Sequence, residues 1–172
     1  PTEEVTLRGP NGEEVKVKVG RDYLNSSGEY VPLSKEGARG VAADNGVEVV
    51  TPGVHRAIES HPSARQIPFQ PQKPNGNMTR WSYTQQHNSS IGDVGDGLVY
   101  GHKKSVVNAG ESPSRVAIMG GKYSNGTTVQ PLSSVHGAGY ADYSHGVRFM
   151  SSTATVNGRS VPISRLLQDP EY

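Results

Sequence analysis

The chain has 172 residues, a formal net charge of +1 at pH 7, 33% hydrophobic residues and 6% aromatics. One domain is expected at this length. The near-neutral charge, with Lys103–Lys104 the densest basic pair, excludes a phosphate-tracking nucleic-acid surface. No apolar run approaches the roughly 18 residues of a membrane helix, and the absence of cysteine excludes disulfides, cysteine nucleophiles and thiolate metal sites.

With 21 glycines and 12 prolines, turns and short elements dominate. The expectation is an α+β domain, with short helices in the first half and a mainly antiparallel sheet in the second. A cysteine-free chain rich in Gly, Ser and Thr is common among exported proteins, and the start at Pro1 fits a processed chain. A secreted, extracellular location is therefore expected. Asn-x-Ser/Thr triplets at Asn25, Asn77, Asn88 and Asn125 leave glycosylation open.

In chain order, VTLRGPNGEEVKVKV (5–19) alternates apolar and polar residues around a Pro-Asn-Gly turn, a hairpin signal. RDYLNSSGEYVPL (21–33) reads as strand, Ser-Ser-Gly tip and strand. Ser34 is placed to cap a short helix, KEGARGVAAD, that stops at Asn45-Gly46. VEVV follows as a short strand, then Thr51-Pro52 opens a second helix through about Ser60. Residues 63–77 carry three prolines and no helical period, so they read as an extended connector. Thr79 is the expected cap of a third helix over RWSYTQQHNSSI (80–91). Short strands then follow: LVYGHKKSVV, RVAIMGGKY, TTVQPLSSVHG and RFMSSTATV. Ser-Asn-Gly and Asn157-Gly158 are turns, and ISRLLQDP is a final helical turn.

The stretch HGAGYADYSHGVRFM (136–150) concentrates the chemistry. His136 and Asp142 are an even number of residues apart and share a face of an extended strand; His145 is odd and needs a bend, for which Gly139 and Gly146 are candidates. Such a bend brings the three to one Zn²⁺ ion with a fourth position open to water. The alternative has His145 bonded to backbone and Asp142 paired with Arg148. Upstream, Gly101-His102-Lys103-Lys104 offers His102 as base or ligand, and Lys103 or Lys104 as holder of a carboxylate or oxyanion; the alternative is a solvated basic turn. His55 and His61 read as surface residues, and His87 as a helix residue with a capping or core hydrogen bond. A Ser144–His102–Asp142 triad is a further arrangement. Arg148 is suited to clamp a carboxylate in two places.

Three resemblances bear on these residues. SVHGAGYAD (134–142) resembles the Ser-x-His-x-x-Gly-x-Ala-x-Asp signature of zinc D-Ala-D-Ala-type peptidoglycan peptidases, one residue short before Asp142 and without the later Glu-x-x-Trp-His. It implies His136 and Asp142 as ligands, with His145 as the third. His136-Gly137 and Ser144-His145-Gly146-Val147-Arg148 resemble the L,D-transpeptidase motif, but Val147 stands where the cysteine belongs, which excludes cysteine acyl transfer. More broadly, QQHN, YGHKKSVV, SRVAIMGG, VQPLSSVHG and YADYSHGVRFM, in this order over roughly residues 20–170, resemble a group of uncharacterised exported microbial proteins.

The leading expectation is a secreted hydrolase of cell-wall material, a peptidoglycan peptidase using zinc at His136, Asp142 and His145. His102 then acts as base or transition-state stabiliser, with Arg148 or Lys103 on a peptide carboxylate. A second reading is a metal-free polysaccharide hydrolase or lyase, with His102, His145 and Tyr143 in acid–base roles. A third is a non-catalytic wall- or glycan-binding module that stacks sugars on Trp81, Tyr83, Tyr140 and Tyr143. The partners are thus cell-wall peptide or polysaccharide, with no nucleic acid and no membrane span.

Overall fold

Alternation of valine with charged residues builds the hairpin that the sequence predicts. In a computed structural model, which describes residues 2–9, 11–72 and 76–166, β1 (Thr2–Arg8) pairs antiparallel with β2 (Glu14–Gly20). Period two sends Val15, Val17 and Val19 to one buried face and the lysines at 16 and 18 to the other. Of the expected Pro-Asn-Gly turn, Pro10 lies outside the described residues. The next pair, β3 (Asn25–Ser26) and β4 (Glu29–Tyr30), closes through Ser27 and Gly28, both left-handed at φ 52° and 83°. That is the twist a two-residue hairpin turn requires.

The first two helices begin where their caps predict. In α1 (Lys35–Asp44), the Ser34 hydroxyl accepts from the Gly37 amide at 3.2 Å. After β5 (Val47–Val49), α2 (Pro52–Glu59) is capped by Thr51, which accepts from the Val54 amide at 3.2 Å. The third helix departs from expectation. α3 (Trp81–Ile91) has Arg80 at its cap with no side-chain bond there, so Thr79 does not cap it. The connector is also more ordered than its prolines suggest: β6 (Arg65–Gln66) pairs parallel with β7 (Val99–Tyr100). Residues 73–75 of that connector lie outside the described residues.

The remaining strands are β8 (Lys104–Val107), β9 (Arg115–Lys122), β10 (Thr128–Gly137), β11 (His145–Val147), β12 (Phe149–Ser151), β13 (Thr153–Val156) and β14 (Arg159–Pro162). A short α4 (Ile163–Leu166) follows, and the rest of the expected final turn lies outside the described residues. One sheet runs β14-β13-β2-β12-β5 with β1 on β2; the other runs β10-β9-β8-β11. The class is α+β as expected. The strands are not confined to the second half, however, because the opening hairpin and β5 complete a sheet with β12–β14. Most pairs are antiparallel, but β11 runs parallel to β8. No helix among the described residues is long and apolar enough to cross a membrane.

Strands β8 and β9 are buried on both faces, which explains their near-continuous apolar sequence. Val106, Val116 and Ile118 pack with Ala38 and Ala42 of α1, whereas Val107, Ala117 and Met119 join the β1–β2 valines and Val54 and Ile58 of α2. His55 of α2 is drawn into this packing and is 4% exposed, against the expectation of a surface residue.

The expected single strand LVYGHKKSVV is broken. Gly101 adopts φ +102°, and a Cβ there would sit 2.8 Å from the Ile67 carbonyl oxygen. The chain bends at 101–103 and carries His102 and Lys103 into the interior, both 0% exposed. The strand proposed across 136–150 is likewise interrupted, since β10 ends at Gly137 and β11 starts at His145. Gly139 lies in the turn between them with open space around it, while Gly146 is inside β11, where a Cβ would meet the Tyr23 ring at 2.9 Å. Gly146→Ala should therefore lower unfolding free energy by about 1–3 kcal/mol through overpacking. Gly139→Ala should stay within about 0.5 kcal/mol. Urea titration of both variants checks the contrast, and equal losses would contradict it.

Candidate functional site

The bend at Gly101 delivers His102 to Asp22, eighty positions earlier. His102 Nε2 lies 2.9 Å from Asp22 Oδ1, which also accepts the Tyr23 amide at 2.7 Å. The Tyr30 hydroxyl donates to Asp22 Oδ2 at 2.6 Å. Tyr23 and Tyr30 set their rings around the imidazole, with centroids 5.0 and 5.3 Å away. Burial pushes the His102 ring below its ordinary value against the pull of Asp22, so the ring is neutral and donates through Nε2–H. Burial also pushes the Asp22 carboxyl up, but its hydrogen bonds outweigh this and hold it below the usual carboxylate range. Asp22 alone of this pair reaches solvent: its side chain is 24% exposed against 0% for His102.

Lys103 turns the other way. Its ammonium donates to His87 Nδ1 at 2.8 Å and to the Tyr143 carbonyl at 2.7 Å, and lies 5.8 Å from the centre of the Tyr30 ring. His87 sits on α3 between Phe69 and Tyr143, with ring centroids 5.1 and 5.0 Å away. The neighbouring Asn88 donates to Glu29 Oε2 at 2.7 Å and to the Tyr30 carbonyl at 3.1 Å, tying α3 to the β3–β4 hairpin. Asn88 is thus buried, unlike Asn25, Asn77 and Asn125 among the glycosylation triplets.

The 136–150 stretch folds into a turn and a short buried strand. Asp142 Oδ1 accepts the Ser144 amide at 2.8 Å and the Ser144 hydroxyl at 2.6 Å, and Oδ2 accepts the Tyr140 hydroxyl at 2.7 Å. His145 Nε2 is 3.6 Å from Asp142 Oδ1, beyond hydrogen-bond range, and among the described residues neither ring nitrogen has a hydrogen-bond partner. The His136 ring stacks flat on Tyr140 at 4.2 Å and stands 6.5 Å from the His145 ring. As placed, the three expected zinc ligands do not converge: Asp142 is committed to the turn and His136 to the aromatic stack. Among the described residues no three His, Asp or Glu side chains are disposed to hold one ion.

Other candidates are moved off their expected roles. Arg148 is 2% exposed, donates to the Gly20 carbonyl at 2.8 Å and to the Val99 carbonyl, and lies 4.8 Å over the Tyr23 ring. Neither a substrate clamp nor a pair with Asp142 is formed. Ser144 donates to Asp142 while His102 is held by Asp22, so the Ser144–His102–Asp142 triad is not assembled. Tyr143 is 5% exposed, with its hydroxyl accepting the Gln72 amide at 3.2 Å. Tyr83 packs edge-on against it, leaving Trp81, 46% exposed, and Tyr140 for any sugar stacking. Lys103 is in the polar centre but faces His87 rather than solvent. Asp22, Tyr23 and Tyr30 escape a reading of local pattern, because only the fold brings them to His102.

Several of these groups link folding to pH. Burial holds the Lys103 ammonium at about 7 rather than 10.5, with Asp142 and Glu29 opposing the shift. Burial, then the Lys103 charge, lowers His87 from 6.5 to about 3, and burial lowers His145 from 6.5 to about 4 despite nearby Asp142. The unfolded chain therefore binds more protons between pH 6.5 and 3 at the histidines, and between 10.5 and 7 at the lysine. Stability rises with pH in both windows. Urea midpoints should climb through each, with His145→Leu flattening the acid limb and Lys103→Met the alkaline one. Unchanged slopes in the variants would refute this burial.

No protein-family model matches the chain, and neither the curated proteins nor the solved structures yield a match.

Proposed function

We propose that this chain is a secreted hydrolase of cell-wall material, allied to the exported microbial proteins that share its GHKK and DYSHG strings, and that it cleaves polysaccharide through side-chain chemistry centred on Asp22. One observation carries the reading: Asp22, backed by buried His102 and Tyr30, lines a surface hollow of about 330 Å³. A carboxylate anchored to a buried polar network at the edge of a cavity is a site signature.

The hydrogen bonds that hold Asp22 ionised make it a weak base. They suit it to stabilising positive charge at the anomeric carbon as a glycosidic C–O bond breaks, with a solvent water adding to that carbon and its proton passing to the departing sugar oxygen, which favours a glycan over a peptide crosslink. In this reading Asp22 touches the substrate, while His102 and Tyr30 are positioning residues. Lys103 and His87 lie behind them and keep the polar interior intact.

A second reading, the non-catalytic glycan-binding module, is supported by half-exposed Trp81 and the surface His136–Tyr140 stack. Incubation with insoluble peptidoglycan separates the two. The hydrolase reading expects release of reducing ends without release of free amines, with Asp22→Asn cutting kcat by about 10²-fold. His102→Asn is expected to shift the pH profile of kcat more than KM. Retention on the wall material without any product favours the binding module, and release of amines alone sinks the glycan reading.

A further inference from the structure

Helix α3 stands apart from the two large cores. It buries Tyr83, Thr84, His87 and Asn88, yet none of them belongs to the apolar clusters that join the sheets to α1 and α2. Its apolar support is the small group of Phe69, Tyr83 and Tyr143. The helix has no side-chain bond at its N-cap, and Ser82, Thr84, Asn88, Ser89 and Ser90 are weak helix formers. An element with few buried apolar contacts opens locally before the rest of a molecule unfolds.

Polar bonds fasten it instead. His87 Nδ1 accepts the Lys103 ammonium at 2.8 Å, and Asn88 donates to Glu29 Oε2 and the Tyr30 carbonyl. The first bond requires a neutral ring, because an imidazolium carries N–H on both nitrogens and accepts nothing. Protonation in place would set two cations 2.8 Å apart, on residues that are both 0% exposed. Of the charged groups around the ring, Lys103 and His102 oppose a positive charge, whereas Asp142 and the Gln70 backbone favour one. Glu29 acts on Lys103, and Lys104 lies 6.0 Å from the centre of the Phe69 ring, which packs against His87. Burial and Lys103 prevail, so the ring takes up a proton only when the helix leaves its seat.

We propose that α3 is an acid-released latch: a proton on His87 breaks its bond to Lys103 and detaches the helix while both sheets stay folded. The sign follows from linkage. In the closed state the ring is held at about 3 against 6.5 when released, so the released state binds more protons and opening increases as pH falls below 6.5. The latch reaches Asp22, because Asn88 ties α3 to Tyr30, whose hydroxyl bonds that carboxylate. Release therefore loosens the support of Asp22. The inference requires no turnover, so a chain that cleaves nothing leaves it standing.

Amide hydrogen exchange of the full chain at pH 6 and pH 5, corrected for the intrinsic dependence of exchange on pH, tests this. The amides of α3 are expected to be far less protected than those of β8 and β9 at both values, and to lose protection by about eightfold from pH 6 to 5. His87→Gln keeps an acceptor for Lys103 but does not titrate, and should make α3 protection level across this interval. Asn88→Ala serves as a second variant: it removes the ties to Glu29 and Tyr30, so α3 should be less protected at both values with the eightfold ratio kept. Protection of α3 equal to that of β8 and β9, no change between the two values, the same change in folded His87→Gln, or loss of the ratio in Asn88→Ala would each overturn the proposal.

Discussion

The structure turns on the cost of burying ionisable groups. Lys103, His87 and His102 are removed from water, and hydrogen bonds to their side chains replace part of the lost hydration. The Lys103 ammonium obtains this from His87 and the Tyr143 carbonyl, and His102 from Asp22. Each partner comes from a different part of the chain: α3, the turn before β11, and the loop after β2. Satisfying one buried bend at 101–103 therefore fixes how helix, hairpin and both sheets meet.

That bend also explains why the polar centre is sealed on one side and open on the other. Phe69, Tyr83 and Tyr143 close over His87 and Lys103 as a small aromatic cluster. On the far side the network ends at Asp22, whose side chain is partly exposed and which lines a surface hollow. The 136–150 stretch, dense in ligand-type residues, lays β11 beside β8 and presents the Tyr143 carbonyl to Lys103.

Local signals were legible where short-range physics governs. The β1–β2 alternation, the Ser34 and Thr51 caps and the left-handed tips at Ser27-Gly28 and Asn157-Gly158 follow from period, side-chain geometry and φ preference. His102 and Lys103 were legible as candidates because a glycine precedes two basic residues and an imidazole. Their partners were not. Nothing near Asp22 or Tyr30 signals a histidine eighty or so residues away, and His87 reads from its own helix as a residue with a capping or core hydrogen bond. The even spacing of His136 and Asp142 misleads because it assumes a continuous strand, whereas the Asp142–Ser144 turn ends the extended geometry.

The sequence by itself determined the α+β class, the first two helix starts, the hairpin turns and the exclusion of all thiol chemistry, since each depends on residue type or on neighbours a few positions apart. Only the tertiary structure decided that Arg148 is bound to backbone carbonyls, that His136, Asp142 and His145 do not share a point, and that Asp22 is joined to His102 and Tyr30. Those outcomes depend on contacts between residues tens of positions apart, whose distances are set by how two sheets pack and not by spacing along the chain.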